Sequence, residues 1–540
     1  MVVKSLPMPF KGSALVLLVW AGSLLLMRSP EQSLLPHDEG YYAQQARWIL
    51  ETGDWLTVPW WGGPLYDRAI GLQWLIAAGY TVFGVSEGVA RLPSLLCSLV
   101  SVWLTYQIGR ACFGDRVGWW GAAVLAVTPI WVQASRFAIQ DIPLVCVELL
   151  GIWALLQAEA VPAARSRQRL LWGLLAGATV GFGFLIKSFM IVLPIVALLP
   201  YLVLDHPRHR HLSNPGLYGG LVLGALPPII WLGLSVHQYG WLPLQQLFGK
   251  LIYLSGADFY NTTPLFYLWN IPVNGFPWPL FAIAGGIIGW RQRQHYQYSL
   301  LWLAYPLLFW GELTVFDTRT WYYPLQIYPF LALWAALCLQ QLAHFYDSRW
   351  ASRRRWPQGL ERLFAALGVL LIGAGLLVLV VPGALGVAPY RAYGWVGLGL
   401  GLGWLLPFGV SWRDRTNWSK RPGLWQFSWL VGPWLAIAAL GLTGLWGNYS
   451  ADVKLALRGD PFDAILQREA IAFVIPRPDT ASKEAVLLTF YTPNLGETVP
   501  RVSDLPPQTY AWVAPNRARQ IPENAAVIGT VRNWQLIQTP

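Results

Sequence analysis

Apolar runs long enough to cross a bilayer recur along most of this 540-residue chain, among them "GSALVLLVWAGSLLLM", "FAALGVLLIGAGLLVLVVPG" and "FSWLVGPWLAIAALGLTGLW". Hydrocarbon offers no water to backbone amides, so such runs must be helical. A chain that is 55% hydrophobic and 12% charged, with 33 tryptophans, would expose far too much apolar surface as a water-soluble globule. The expected fold is therefore mainly α, a polytopic bundle of membrane helices. The first run follows Lys4 and Lys11 and has no convincing small-residue cleavage site, so it reads as a retained anchor rather than a signal peptide.

The formal net charge of +11 would suit a nucleic-acid partner, but its distribution argues against one. Residues 448–540 hold as many acids as bases, so all the excess lies in the first 447 residues. It sits mostly in short loops such as "GRACFGDR", "RSRQR", "DHPRHRH", "RQRQHY", "SRWASRRRW" and "WRDRTNWSKR". These alternate with loops poor in base, the pattern by which basic segments stay in the cytoplasm. Alternation yields about thirteen spans, from 12–28 to 424–446, and including 117–134, 170–186, 189–204, 266–288 and 297–312. An odd number, starting inside, puts the C-terminus on the extracytoplasmic face together with the first loop, about 29–88. Cys97, Cys112, Cys146 and Cys338 fall in or beside apolar segments at spacings that suit neither zinc nor a disulfide framework, and read as small buried hydrophobes.

Two stretches of the first loop, "EGYYAQQARWIL" and "GLQWLIAAGYTVFG", carry helical periodicity and read as helices lying in the membrane interface, joined by the turn-rich "GDWLTVPWWGGPLYD". The chain then divides into a membrane module, 1–447, and a soluble extracytoplasmic α/β domain, 448–540. In the latter, "EAVLLTFY", "TYAWVAP" and "AAVIGTVRNWQLIQ" read as short strands and "DPFDAILQREAIAFV" as helix-like.

Carboxylates and bases gather at the expected outer face, on elements far apart in sequence. Asp38 and Glu39 follow the first run, and Asp67 and Arg68 lie midway along the first loop. Arg136 and Asp141 open the fourth span, Lys187 ends the fifth, and Asp317 and Arg319 precede the tenth in "FDTRTWYYPLQIYP". Each has a plain structural reading: carboxylates favour the first turn of a helix, and a lysine at a span end can snorkel to the interface. Together they suit chemistry on a lipid-linked phosphate. Guanidinium or ammonium groups hold the phosphate and stabilise the charge that develops as it leaves, while a carboxylate takes a proton from an attacking hydroxyl or amine. His37, Asp38, Glu39 and Asp67 could hold a divalent cation, without diagnostic spacing, and no other cofactor is implied.

The order of motifs is informative as well. "DEGYYAQQARWILETGDWLTVPWWGGPLYDRAIGLQWLIAAGYTVFG", "ARLPSLL", "SRFAIQDIPL", "GFGFLIKS", "FYLWNIPVNGFPW" and "TRTWYYPLQIYPF" resemble, in sequence order, the lipid A aminoarabinose transferases and the wider protein O-mannosyltransferase-like branch of the GT-C glycosyltransferases. The resemblance implies a GT-C fold and an inverting transfer of a sugar from a polyprenyl phosphate to a lipid, glycan or protein acceptor, at the extracytoplasmic face of the inner (plasma) membrane. It assigns Asp38 as the base or acceptor-orienting residue, with Glu39 beside it and Asp141 as the second acid. Arg68 stands where the family usually has a donor-phosphate lysine, followed here by Ala69 in place of proline. Tyr41 stands where many members carry arginine, so donor binding is expected to lean also on Arg136, Lys187 and Arg319. Tyr41, Tyr42, Asp67, Asp317, Tyr322 and Tyr323 complete the expected substrate pocket. The competing readings are a transporter or flippase of lipid-linked sugars, which needs ionisable residues near the bilayer midplane where only Glu148 stands out, and a non-catalytic membrane accessory protein.

Overall fold

The computed structural model describes residues 14–61, 63–162, 165–256, 262–346, 354–380, 390–413, 422–475 and 483–540. Lys4, Lys11 and most of the basic loops at 347–353 and 414–421 lie outside the described residues. Among the described residues, nine helices are long and apolar enough to cross a membrane. The number is eleven if each of two bent pairs, Asp115–Leu125 with Pro129–Ser135 and Phe266–Asn274 with Trp278–Arg291, forms one span.

The expected count was thirteen, and the difference arises in two places. Helix Ser299–Val315 is apolar but has only 17 residues. The stretch Ser166–Leu204 passes as one 39-residue unit by length and composition, although a straight helix of that length would reach about 58 Å, roughly twice the hydrocarbon thickness. It does not run straight. Lys187, ending helix Ser166–Lys187, bonds Asp141 at the start of helix Asp141–Ala160. Tyr201, near the end of helix Val192–Leu204, donates to Glu159 at the opposite end of that same helix, 3.1 Å away. The chain doubles back at Ser188, which takes a left-handed φ of 51°.

Close helix pairing holds this region together. Helices Ser166–Lys187 and Pro215–Tyr239 pack through glycines, and a Cβ built on Gly181 would lie 1.8 Å from the Gly224 carbonyl oxygen. In a bilayer, where burial against lipid tails drives little association, such backbone-to-backbone approach supplies the packing.

Both helices expected in the first loop are present, as Asp38–Thr52 and Gly71–Phe83. The first begins on two carboxylates, where the helix dipole favours negative charge. It ends at Gly53, whose φ of 69° closes the helix with an N–H bond to the Ile49 carbonyl. A short antiparallel pair, β1 (Pro59–Trp60) and β2 (Gly63–Pro64), bridges the two helices.

The C-terminal residues form a five-stranded mixed sheet from β3 (Ile471–Val474), β4 (Leu495–Val499), β5 (Tyr510–Val513), β6 (Ala526–Val531) and β7 (Trp534–Gln538), in the order β4-β3-β5-β7-β6. β3 runs parallel to both neighbours, and β7 antiparallel to both of its own. Two sequence expectations are corrected here. "EAVLLTFY" forms helix Lys483–Tyr491, and the helix-like stretch divides into helix Phe462–Arg468 and strand β3. The largely apolar stretches 485–490 and Ile471–Val474 are buried along their whole length, and a short run of that kind has no period that separates strand from helix.

The sheet region and the first loop share one apolar core. Ala43, Ala46, Ile49, Ile70 and Ile76 pack with Val453, Leu466, Phe473 and Trp512. Arg47 ties the two together by donating to the carbonyls of Thr489 (3.1 Å), Phe490 (3.1 Å), Thr492 (2.9 Å) and Pro493 (2.6 Å) at the end of helix Lys483–Tyr491. This anchors the segment that carries Asp38.

Candidate active site

Asp38 and Arg68 reach the same space from the two ends of the first loop. The Arg68 Nη2 lies 3.8 Å from Asp38 Oδ1, and its Nε lies 3.5 Å from Asp67 Oδ2. The guanidinium also stands over the rings of Tyr41 (5.2 Å) and Tyr42 (5.0 Å), which attract a cation through their π faces. His37 Nδ1 is 3.4 Å from the same Asp38 oxygen. Burial by itself would raise the Asp38 carboxyl, but the His37 bond and then the Arg68 charge outweigh it and hold the group below the ordinary carboxylate value. Asp38 is thus ionised at neutral pH and able to accept a proton.

A second pair faces the first. Lys187 bonds Asp141, and its ammonium stands 5.3 Å from the Tyr322 ring and 5.0 Å from the Tyr323 ring. Asp141 occupies the first turn of its helix, and Lys187 the last turn of its own, so each charge complements the local helix dipole. The two pairs line one cavity of about 840 Å³. Its polar end carries His37, Asp38, Tyr42, Asp67, Arg68, Asp141, Lys187, Tyr322 and Tyr323. Phe189, Met190, Val192, Leu193, Leu313 and Phe316 form an apolar wall. Such a cavity accommodates an amphiphile, with an anionic head at the charged end and a hydrocarbon chain along the wall.

Several expected residues lie elsewhere. Glu39 is fully buried and faces Arg91 rather than the cavity. Arg136 is buried against the end of the first helix and the start of the first loop, donating to Leu24 O (3.1 Å), Met27 O (2.8 Å) and Gln32 Oε1 (3.0 Å). Arg319 is committed to the carbonyls of Thr262 and Thr314, both at 3.0 Å, with Asp317 3.7 Å away. Tyr41 stacks on Trp60, 4.3 Å between centroids, outside the cavity lining. These arginines sit at the right depth in the sequence, but backbone carbonyls reach them first.

Gln140 and Lys250 also line the cavity: Lys250 is a base of the expected outer face, whereas an uncharged Gln140 carries no signal in its sequence context. The Gln140 Nε2 donates to Ala69 O at 3.2 Å, joining the segment that carries Arg68 to the one that carries Asp141. Among the described residues, no three His, Cys, Asp or Glu side chains gather as a metal site. The group of His37, Asp38, Glu39 and Asp67 is divided because Glu39 turns away.

Fold and cavity define the class: a polytopic helical membrane protein with a charged, apolar-walled pocket. The solved structures of similar fold include ArnT from Cupriavidus metallidurans bound to undecaprenyl phosphate, with a TM-score of 0.74 at 18% identity over 97% of both chains, and the same protein in the apo state at 0.72. The sequence profile of the dolichyl-phosphate-mannose-protein mannosyltransferase family matches residues 67–233. Among curated proteins, the chain is 29% identical over 311 residues to an undecaprenyl phosphate-alpha-4-amino-4-deoxy-L-arabinose arabinosyl transferase of Pseudomonas aeruginosa, covering 54% of each. It is 28% identical over 381 residues to one from Pseudomonas fluorescens, covering 67% of this chain and 63% of that one. The matches span little more than half the length of these curated relatives.

Proposed function

We propose that this chain is a membrane glycosyltransferase that moves a sugar from a polyprenyl-phosphate donor to a lipid, glycan or protein acceptor, with inversion. The observation that carries this reading is the meeting of the Asp38–Arg68 and Asp141–Lys187 pairs at the polar end of one apolar-walled cavity. In the reaction, the acceptor's oxygen or nitrogen attacks the anomeric carbon from the face opposite the phosphate, and Asp38 takes the proton it loses. The bond from that carbon to the phosphate oxygen breaks, and Arg68 and Lys187 hold the phosphate as its negative charge grows. Asp141 assists by holding Lys187 in place. One displacement at one carbon inverts its configuration.

The same reading makes residues 1–447 the catalytic membrane module of about thirteen spans and 448–540 an extracytoplasmic domain. It places the cavity on the extracytoplasmic side of the inner membrane. Thiols introduced at Thr52 and Asn494 should both react with an impermeant reagent on spheroplasts, and protection of either would overturn this topology.

The activity is tested with the purified chain in lipid nanodiscs, offered polyprenyl-phosphate sugars together with lipid, glycan and protein acceptors and read by mass spectrometry. Sugar transfer with release of polyprenyl phosphate is the expected result. Movement of intact donor across the bilayer without transfer would favour a flippase instead.

A further inference from the structure

Glu39 lies next to Asp38 in sequence, yet its carboxylate is fully buried and points away from the cavity. Its hydrogen bonds have a particular arrangement. Oε2 accepts from the backbone N–H of Leu35 at 2.8 Å, and Oε1 from the backbone N–H of Ala138 at 3.1 Å. Leu35 stands three residues before Asp38, and Ala138 three residues before Asp141. A single carboxylate therefore grips, with one oxygen each, the chain leading into both candidate catalytic acids.

Arg91 completes the clamp from the long helix Glu87–Phe113. Its Nε and Nη2 bond the two Glu39 oxygens at 2.6 and 2.9 Å. The remaining donors go to the carbonyls of Ser29, Gln32 (2.9 Å) and Ser33 (2.9 Å), fixing the strap that runs into Asp38. Every strong hydrogen-bonding position of both side chains is engaged with backbone or with each other, so neither group has a contact to offer substrate. A bidentate pair of this kind is geometrically stiff. Gln140 bonding Ala69 O and Arg136 bonding Gln32 Oε1 add further links between the Asp141 segment and the first loop.

We infer that Glu39, held by Arg91, is a positioning residue that sets the placement of Asp38 relative to Asp141, and through Asp141 of Lys187. The role rests on the glycosyltransferase reading above. A shift of about 1 Å in such a constellation can cost about 10²-fold in rate without touching the reacting atoms.

The test is a double-mutant cycle on the full-length chain in nanodiscs, with Glu39→Gln and Asp38→Asn singly and together. As a variant less exposed to misfolding, Glu39→Asp keeps the buried charge beside Arg91 but is one methylene too short to reach both amides. Expected are a kcat lowered about 10²-fold in Glu39→Gln and in Glu39→Asp, a Kd for decaprenyl phosphate within about twofold of wild type, and a double variant no slower than Asp38→Asn alone. Effects that multiply in the double variant, or a kcat in Glu39→Asp equal to wild type in folded protein, would overturn the positioning role. A wild-type chain that transfers no sugar from any polyprenyl-phosphate donor would instead overturn the underlying function.

Discussion

The Arg68 guanidinium stands 3.8 Å from the Asp38 carboxylate, so the first loop brings a cation and an anion from thirty residues apart to one end of the cavity. The pair is partly open, with 27% of the Asp38 side chain and 15% of the Arg68 side chain exposed. In the proposed reaction, that opening lets a phosphate share Arg68 while Asp38 faces the incoming nucleophile.

Asp38→Asn keeps the shape and much of the hydrogen bonding but removes the proton acceptor. Transfer should slow by about 10²–10⁴-fold with donor binding nearly unchanged. Single-turnover kinetics alongside equilibrium binding of decaprenyl phosphate separate the two, and a wild-type rate would leave Asp38 as a helix-terminal charge only.

Arg68→Ala should weaken donor binding or transition-state stabilisation by about 2–5 kcal/mol, with Arg68→Lys recovering only part of it because one ammonium cannot reproduce a bidentate fork. Binding isotherms and kcat/KM in a variant that elutes and melts like wild type decide the matter.

Gly71 opens the helix just after Arg68, and a Cβ there would lie 2.5 Å from the Leu185 carbonyl oxygen, two residues before Lys187. Gly71→Ala must push the Arg68 and Lys187 segments apart. It should cost about 1–3 kcal/mol of stability and lower transfer, read by thermal melting and by rate.

His211, in the loop between two spans, is buried, and its Nε2 lies 3.0 Å from the Tyr201 hydroxyl. Burial, followed by the positive potential of His209, Arg169, Arg208 and His206, lowers its pKa to about 3. Between that value and the ordinary one near 6.5, the unfolded chain binds a proton that the folded one does not. Stability therefore falls as the pH drops below about 6.5, by up to about 1.4 kcal/mol per pH unit from this group. Denaturation at pH 7.5 and 5.5 should show a smaller pH effect in His211→Gln than in wild type.

The membrane character of this chain was legible from the sequence because lipid imposes one demand on every spanning segment. Backbone groups must bond internally, and only long apolar helices meet that demand. The two helices of the first loop were legible as well, the first from an apolar face at helical spacing and the second as a nearly all-apolar run too short to span comfortably. So were Asp38, Arg68, Asp141 and Lys187, charges that a greasy chain keeps where they can be paired. Tertiary structure decided the rest. Arg136 and Arg319 differ from Arg68 only in meeting backbone carbonyls first, a matter of which loop folds over which helix end. Glu39 and Asp38 are adjacent in sequence, but successive residues on a helix point about 100° apart. One therefore faces the cavity, and the other faces Arg91. "EAVLLTFY" became a helix whose residues 485–490 are all buried in packing against the first loop, and full burial erases the periodicity by which a strand and a helix are told apart.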